Sequence, residues 1–427
     1  MTPYVDFYYF LFLLYPLAAL VLLGVLGLLR RWVVLAVGMA MLLFQYGDPL
    51  GVSRPTSAGL AQLAFLGAYA AGSIALVLGY SRVRRRHPGQ PAFYTAIALA
   101  LSPLVVAKLT PLTRALIHAW PAGRVSAAAP DLPVVAPMPS GFFDTFGFLG
   151  ISYMTLRVVD AIIVLHDGLV RERPRVADVA SYLLFVPTIS AGPIDRFRRF
   201  TDALDALPRR GRDYLREVEA GIQRIAQGFL YKFVVAYLIY RHALVPLEGR
   251  SGIRAGVAYM YAFSLYLFFD FAGYSAFAIG VGHFFGIRVP ENFNAPFLSR
   301  NFREMWDRWH ISLSWWLRDH VYMRFMLNAV RRKWFGGNRQ RAHHVALLLT
   351  MGLMGCWHGL RPQYVVYGLY QGVMLVAYDL FERWNRKRQL VPDGPLARAA
   401  SVFVTVNLFC FGLLIFSGWL FAQGTPP

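Results

Sequence analysis

Ten apolar stretches recur along this chain, at residues 7 to 29, 32 to 46, 57 to 80, 91 to 108, 143 to 166, 219 to 240, 254 to 286, 344 to 360, 362 to 381 and 398 to 422. A hydrocarbon core about 30 Å thick is crossed by about 20 helical residues. Backbone in lipid must satisfy its own hydrogen bonds, so stretches of this kind are expected to be helices. Only 15% of the 427 residues are charged and 57% are hydrophobic, whereas an average soluble domain is about one quarter charged. The expectation is an all-α polytopic membrane protein, a single integral membrane domain over 1–427.

The net charge is +20, which alone would suit a nucleic-acid partner. The basic residues instead fall in short clusters between apolar spans: Arg30-Arg31, Arg82 to His87, Arg171 to Arg175, Arg196 to Arg199, Arg331 to Lys333 and Arg383 to Arg388. Cytoplasmic loops of membrane proteins carry this excess, so these loops are assigned to the cytoplasm, with membrane lipids rather than nucleic acid as surroundings. Loop 109–142, rich in Pro and Ala and poor in clustered charge, is then external. Residues 7 to 29 follow Asp6 and precede Arg30-Arg31, the reverse of a cleaved signal peptide. They read as a retained helix with the N-terminus outside. Cys356 and Cys410 both lie in apolar sequence, which points to neither a disulfide framework nor a cysteine metal site, and no metal is expected.

Two stretches depart from the simple pattern. Residues 178 to 195 are apolar but contain Pro187, Gly192, Pro193 and Asp195, between basic clusters. Residues 305 to 330 are amphipathic, with Arg308, His310, Arg318, Asp319 and Arg324 among Trp and Leu. A segment that begins and ends near one face cannot cross, so both are expected to be re-entrant or in-plane. Broken backbone at membrane depth is tolerated where protein buries it or where it lines a wet cavity.

An ionisable side chain at that depth is costly and marks function by default. His310 and His358, in Trp309-His310 and Trp357-His358-Gly359, are the foremost candidates. Activating a hydroxyl as a nucleophile needs a base for its proton, and a neutral imidazole can serve near neutral pH. Burial disfavours imidazolium, which suits His358 as the base. Gly355 and Gly359 beside it permit close approach of a carbonyl carbon or of backbone. His310 would position substrate or polarise a carbonyl, with Asn292, Asn294, Ser312 and Ser314 as neutral hydrogen-bonding neighbours. No Ser/His/Asp arrangement with a nucleophile elbow is visible, which favours direct transfer. Each histidine could instead hydrogen-bond a neighbouring helix. Asp270 could be catalytic or the partner of a buried cation. Asp195 with Arg196 reads as a structural pair, and His343 and His344 as interfacial. His118, His166 and His283 lack polar company in sequence, and the Trp residues at 306, 309, 315, 316 and 357 read mostly as interface belt and core. No internal repeat of the kind that marks many transporters is present.

Taken in order, Phe269-Asp-Phe-Ala-Gly-Tyr-Ser275, Pro290-Glu-Asn-Phe-Asn-Ala-Pro296, Arg308-Trp-His-Ile-Ser-Leu-Ser314 with Trp316-Leu-Arg-Asp319, and Trp357-His358-Gly359 resemble the membrane-bound O-acyltransferase family. Within it, Phe148 to Tyr153, Gly192 to Phe197, Gly228 to Phe233 and Tyr322 to Arg324 are similar to the branch that D-alanylates teichoic acids. The alginate O-acetyltransferase branch would carry Pro-Leu-Gly-Gly-Asn-Arg after the first His motif. Only Gly336-Gly-Asn-Arg339 is present, preceded by Arg331-Arg-Lys333. The resemblance implies roughly ten to eleven transmembrane helices with re-entrant or in-plane segments around a central cavity. It also implies His358 and His310 as catalytic residues, with Asp270, Asn292, Asn294, Ser312, Ser314 and Trp357 around the substrate. No cofactor would be bound, since the donor group arrives as a thioester on the phosphopantetheine of a small acidic acyl-carrier protein at the cytoplasmic face. The acceptor would be a cell-envelope polymer outside a bacterial plasma membrane, teichoic or lipoteichoic acid or a related polyol. An acidic carrier suits a basic rim with an apolar centre, which Arg324, Met326, Leu327, Arg331, Arg332 and Lys333 supply. The same residues also fit an ordinary positive-inside loop. An exported-polysaccharide O-acetyltransferase and, further off, a transporter are the competing functions.

Overall fold

A computed structural model describes residues 4, 7–47, 57–86, 89–119, 150–170, 173–207, 211–389 and 394–422. Residues 120 to 142 of the expected external loop, 143 to 149 of the fifth expected span, and Arg171 of the third basic cluster lie outside them. The described residues are overwhelmingly helical, with one isolated antiparallel bridge, Phe293 to Trp309. In chain order the helices are α1 (Phe7–Val25), α2 (Arg31–Gly47), α3 (Ser57–Arg86), α4 (Gln90–Ala119), α5 (Ile151–His166), α6 (Val176–Leu183), α7 (Phe197–Asp205), α8 (Gly211–Phe229), α9 (Ile253–Phe284), α10 (Phe302–Arg308), α11 (Ile311–Leu317), α12 (Met323–Arg331), α13 (Arg339–His358), α14 (Pro362–Arg388) and α15 (Pro395–Ser417). α8 runs on through π-helical and 3-10 turns to Leu247.

Among the described residues six helices are long and apolar enough to cross a membrane: Gln62–Arg86, Gln90–Leu109, Gly211–Leu247, Ile253–Phe284, Pro362–Arg388 and Pro395–Ser417. They coincide with six of the ten expected spans. The other four correspond to α1, α2, α5 and α13, of 19, 17, 16 and 20 residues. α13 opens on Arg339, Arg341, His343 and His344, which lowers its hydropathy. Residues 109 to 119, expected to begin the external loop, instead continue α4, because their apolar residues extend the helix beyond the predicted end. The described residues divide into two compact units, one of residues 1–220 with 281–288 and the other of 221–280 with 289–427.

In the first unit, the break after α6 is held by side chains of α5. Arg157, only 1% exposed, donates to the carbonyls of Tyr182 at 3.0 Å, Leu183 at 3.2 Å and Thr188 at 2.6 Å, and to the Thr188 hydroxyl. A helix that stops inside a membrane protein frees carbonyls with no water to take them; Arg157 takes them instead. Asp160, one turn further on, accepts from the Phe197 backbone N–H at 2.7 Å where α7 begins, and from Arg196 at 3.0 Å. The expected Asp195–Arg196 pair is joined through backbone, the Arg196 N–H donating to Asp195 at 2.7 Å, and Asp195 also takes both the Nε and a terminal nitrogen of Arg199 at 2.6 Å. The planar fork of Arg199 suits a carboxylate one helical turn away. His166 and His283 also gain partners that sequence did not foretell, the Tyr80 hydroxyl at 2.8 Å and Glu217 at 2.6 Å.

In the second unit, local signals set the helix ends. Asn301 accepts from the Glu304 N–H at 2.8 Å while the Glu304 carboxylate takes the Arg300 N–H at 2.9 Å, a near-reciprocal cap that starts α10. Asn338 caps α13 through the N–H groups of Gln340 and Arg341, both at 3.0 Å. Pro362 opens α14 at a position where its missing N–H costs nothing, and Arg386, Lys387 and Arg388 lie at the negative end of the helix dipole. α13 and α14 meet backbone to backbone. A Cβ on Gly368 would lie 2.9 Å from Gly355 Cα, and one on Gly372 would lie 3.1 Å from Leu348 Cα. Small residues four apart permit this approach, as is common between membrane helices.

Candidate active site

The turn that carries His310 is built from two strips of chain. Residues 292 to 294 run antiparallel to 308 to 311, joined by the Asn294 N–H to the Arg308 carbonyl and the Ile311 N–H to the Asn292 carbonyl, both at 3.0 Å. Between α10 and α11, His310 takes a left-handed backbone conformation, φ 45° and ψ 49°. That region is uncommon for a residue with a side chain, and such strain persists where surroundings over-determine it, often at active sites. The surroundings here are specific. Asn292, 0% exposed, donates to the Ser275 hydroxyl of α9 at 3.1 Å and accepts from the Ser312 hydroxyl of α11 at 2.6 Å. The Ser314 hydroxyl bonds the Trp309 and His310 carbonyls, each at 3.2 Å. Phe271 of α9 packs edge-on to the His310 ring with centroids 4.8 Å apart.

His358 is the last residue of α13. Phe416 of α15 lies edge-on to its ring at 5.0 Å and Trp357 at 4.9 Å, with Tyr364 and Tyr367 of α14 at 6.4 Å. The negative end of the α13 dipole is complementary to the imidazolium that forms when His358 takes a proton. Gly359 follows in extended conformation, φ 175°, and a Cβ there would meet the Tyr364 ring. The glycines on either side of His358 thus serve helix and ring packing.

His310 and His358, 48 residues apart in sequence, face one cavity of about 70 Å³, with Trp306, Trp309, Tyr367 and Phe416 among its walls. That space admits water or a small polar group. It brings two imidazoles onto one space in largely apolar surroundings, where dipoles act more strongly than in water.

The other candidate residues lie around this cavity rather than in its wall. Asn292 and Ser312 are occupied with each other, and Ser314 with backbone. Asn294 is exposed, its carbonyl accepting from Arg308 at 3.3 Å. Asp270 is ion-paired with Lys232 of α8, so of its two alternatives the cationic partner is present, and it is a lysine. Trp357 packs on His358. Trp306, Trp309, Tyr367 and Phe416 were the residues hidden from sequence reasoning, because aromatic residues in a membrane chain look alike whether they face lipid or a cavity.

A second opening, about 830 Å³, is lined by Arg303, Tyr322, Met326, Asp379, Arg383 and Arg386, among others. Asp379 is its hub: buried, it accepts from His344 at 2.9 Å and Arg383 at 2.8 Å, with His343 at 3.6 Å and Arg303 at 3.9 Å. His343 and His344, expected at an interface, therefore share a buried carboxylate, which repays their partial burial. Of the expected docking residues, Met326 lines this groove, Leu327 is exposed beside it on α12, and Arg324 is half-buried. Arg331, Arg332 and Lys333 are exposed, next to the part-exposed Trp334 and Phe335. Among the described residues no group of three or more His, Cys, Asp or Glu side chains could hold a metal ion.

Residues 167–420 match the membrane-bound O-acyltransferase family. The chain is 35% identical over 421 residues to a teichoic acid D-alanyltransferase of Bacillus subtilis, covering 98% of both proteins. It is 35% identical over 370 residues to the enzyme of the same description from Streptococcus thermophilus, covering 82% of this chain and 81% of that one. It is also 34% identical over 235 residues to a probable alginate O-acetylase of Pseudomonas aeruginosa, covering 53% of this chain and 42% of that one.

Proposed function

The chain belongs to the membrane-bound O-acyltransferase family, and on that premise we propose that it transfers a D-alanyl group from a carrier-protein thioester to a hydroxyl of a cell-envelope polymer, teichoic or lipoteichoic acid or a related polyol. The observation that carries the reading is the pair His310 and His358 on one cavity. The choice of acyl group is supported by coverage: the D-alanyltransferase of B. subtilis aligns over 98% of this chain, the alginate O-acetylase over 53%.

In the proposed reaction the acceptor oxygen attacks the thioester carbonyl carbon while His358 takes the hydroxyl proton. Collapse of the tetrahedral centre breaks the C–S bond, and the thiolate leaves with the proton His358 carried. His310, clamped in its left-handed turn, orients the reacting groups. The donor's phosphopantetheine arm enters from the cytoplasmic face, and the acceptor from outside, with the N-terminus and the segment that follows α4 on the outer side of a bacterial plasma membrane. The acidic carrier docks on Arg324, Met326, Leu327, Arg331, Arg332 and Lys333. Support for this comes from the exposed apolar side chains of α12 and the following turn beside three exposed cations, next to a groove rimmed by Arg303, Arg383 and Arg386.

The test is transfer by the purified protein in lipid vesicles, with D-alanyl-carrier and acetyl donors offered in parallel to lipoteichoic acid. D-alanyl transfer that vanishes in His358→Ala, with insertion and helical content unchanged, is the expected result. Turnover retained in His358→Ala, or acetyl transfer alone, overturns the proposal.

A further inference from the structure

Two side-chain nitrogens of the histidine cavity are buried without a hydrogen-bond partner, His310 Nδ1 and Trp306 Nε1. Both residues line the cavity, and both are more than nine-tenths buried, at 5% and 7% exposure. An indole nitrogen can only donate, and a buried donor left unpaired is costly. The remaining wall is apolar apart from Trp309, the Tyr367 hydroxyl and the His358 ring, and none of its side chains accepts from the indole. The acceptor for Trp306 therefore comes from what enters the cavity. The ring is held for the purpose: it packs edge-on against Phe409 of α15, centroids 6.1 Å apart. It also stands four residues before His310 on the helix that feeds the strained turn.

We infer that Trp306 Nε1–H donates to the carbonyl oxygen of the transferred acyl group and is the oxyanion donor of the reaction, an assignment that rests on the acyl-transfer reading above. As the acceptor oxygen forms its bond to the carbonyl carbon, the C=O electron pair moves onto the carbonyl oxygen, and the indole N–H meets that charge. The pair then returns, the C–S bond breaks with its electrons on sulfur, and the proton held by His358 passes to the sulfur. Every atom is supplied by donor, acceptor and the two residues. A fixed donor aimed at developing charge in a water-poor site needs no reorganisation during the step, which is why such donors act chiefly on kcat.

The experiment compares wild type with two proteins reconstituted in vesicles: Trp306→Phe, which keeps a ring but loses the N–H, and a protein with benzothienylalanine at 306, which keeps the bicyclic shape and replaces N–H by sulfur. The substrates are the D-alanyl thioester of the carrier protein and lipoteichoic acid. Both variants are expected to lose about 10²-fold in kcat, with KM for the thioester and the thermal unfolding midpoint unchanged. Wild-type kcat in the benzothienylalanine protein overturns the assignment, even if Trp306→Phe fails to fold. A wild-type protein that transfers no acyl group from the thioester would instead overturn the acyl-transfer reading, so the two failures are distinguishable.

Discussion

Replacing Asn292 by alanine removes the two side-chain hydrogen bonds that tie the His310 turn to α9 and α11, to Ser275 at 3.1 Å and from Ser312 at 2.6 Å. Each is worth about 1 kcal/mol net in a buried site, so the turn loses about 2 kcal/mol of bracing. A non-glycine residue held in a left-handed conformation costs about 1–3 kcal/mol, and His310 is such a residue. The loss is thus comparable with the strain being restrained. About 2 kcal/mol corresponds to about 30-fold in an equilibrium, and Asn292→Ala should lower the transfer rate by up to that factor, because His310 leaves its working position in most molecules. Ser275→Ala removes one bond and should cost about 5-fold. The assay is initial-rate acyl transfer in vesicles together with thermal unfolding in detergent, where Asn292→Ala should unfold earlier. A rate within twofold of wild type would refute the argument that this asparagine holds the site.

Gly368→Leu should be severely destabilising, since its Cβ would lie 2.9 Å from Gly355 Cα and backbone cannot yield as a flexible side chain can. Gly72→Ala, with nothing within 4 Å of the new Cβ, should leave the unfolding midpoint unchanged or raise it. Reversing charge at Arg331, Arg332 and Lys333 should weaken carrier binding in a salt-dependent way, because exposed charges are screened over about 8 Å at physiological ionic strength. Met326→Asp should weaken it at every salt concentration. Pull-down across a salt series reads both, and unchanged binding in either variant would move the docking surface elsewhere.

The helical, membrane-embedded character of this protein is written in its residue sequence, because span length, apolar content and clustered arginine follow directly from the thickness of a bilayer and the cost of charge within it. The breaks at 178 to 195 and 305 to 330 were legible for a related reason: proline, glycine and charge inside an apolar run mark backbone that cannot remain a simple helix. His310 and His358 stood out because an imidazole is an unusual occupant of such surroundings. Sequence could not say which neighbours face them. Asn292 and Ser312 are 20 residues apart and Asn292 and Ser275 17 apart, and only folding turned expected cavity donors into a brace beneath His310. Nor could it separate Trp306, which lines the cavity, from Trp315, which is 46% exposed. Both are aromatic residues in an apolar run, and their roles diverge only through the direction each helix presents. The same holds for Asp379, His343 and His344: a carboxylate on α14 and two imidazoles on α13 become a cluster because glycines let those helices touch. Local chemistry along the chain determined which residues are out of place in a membrane, and long-range packing decided what each of them meets.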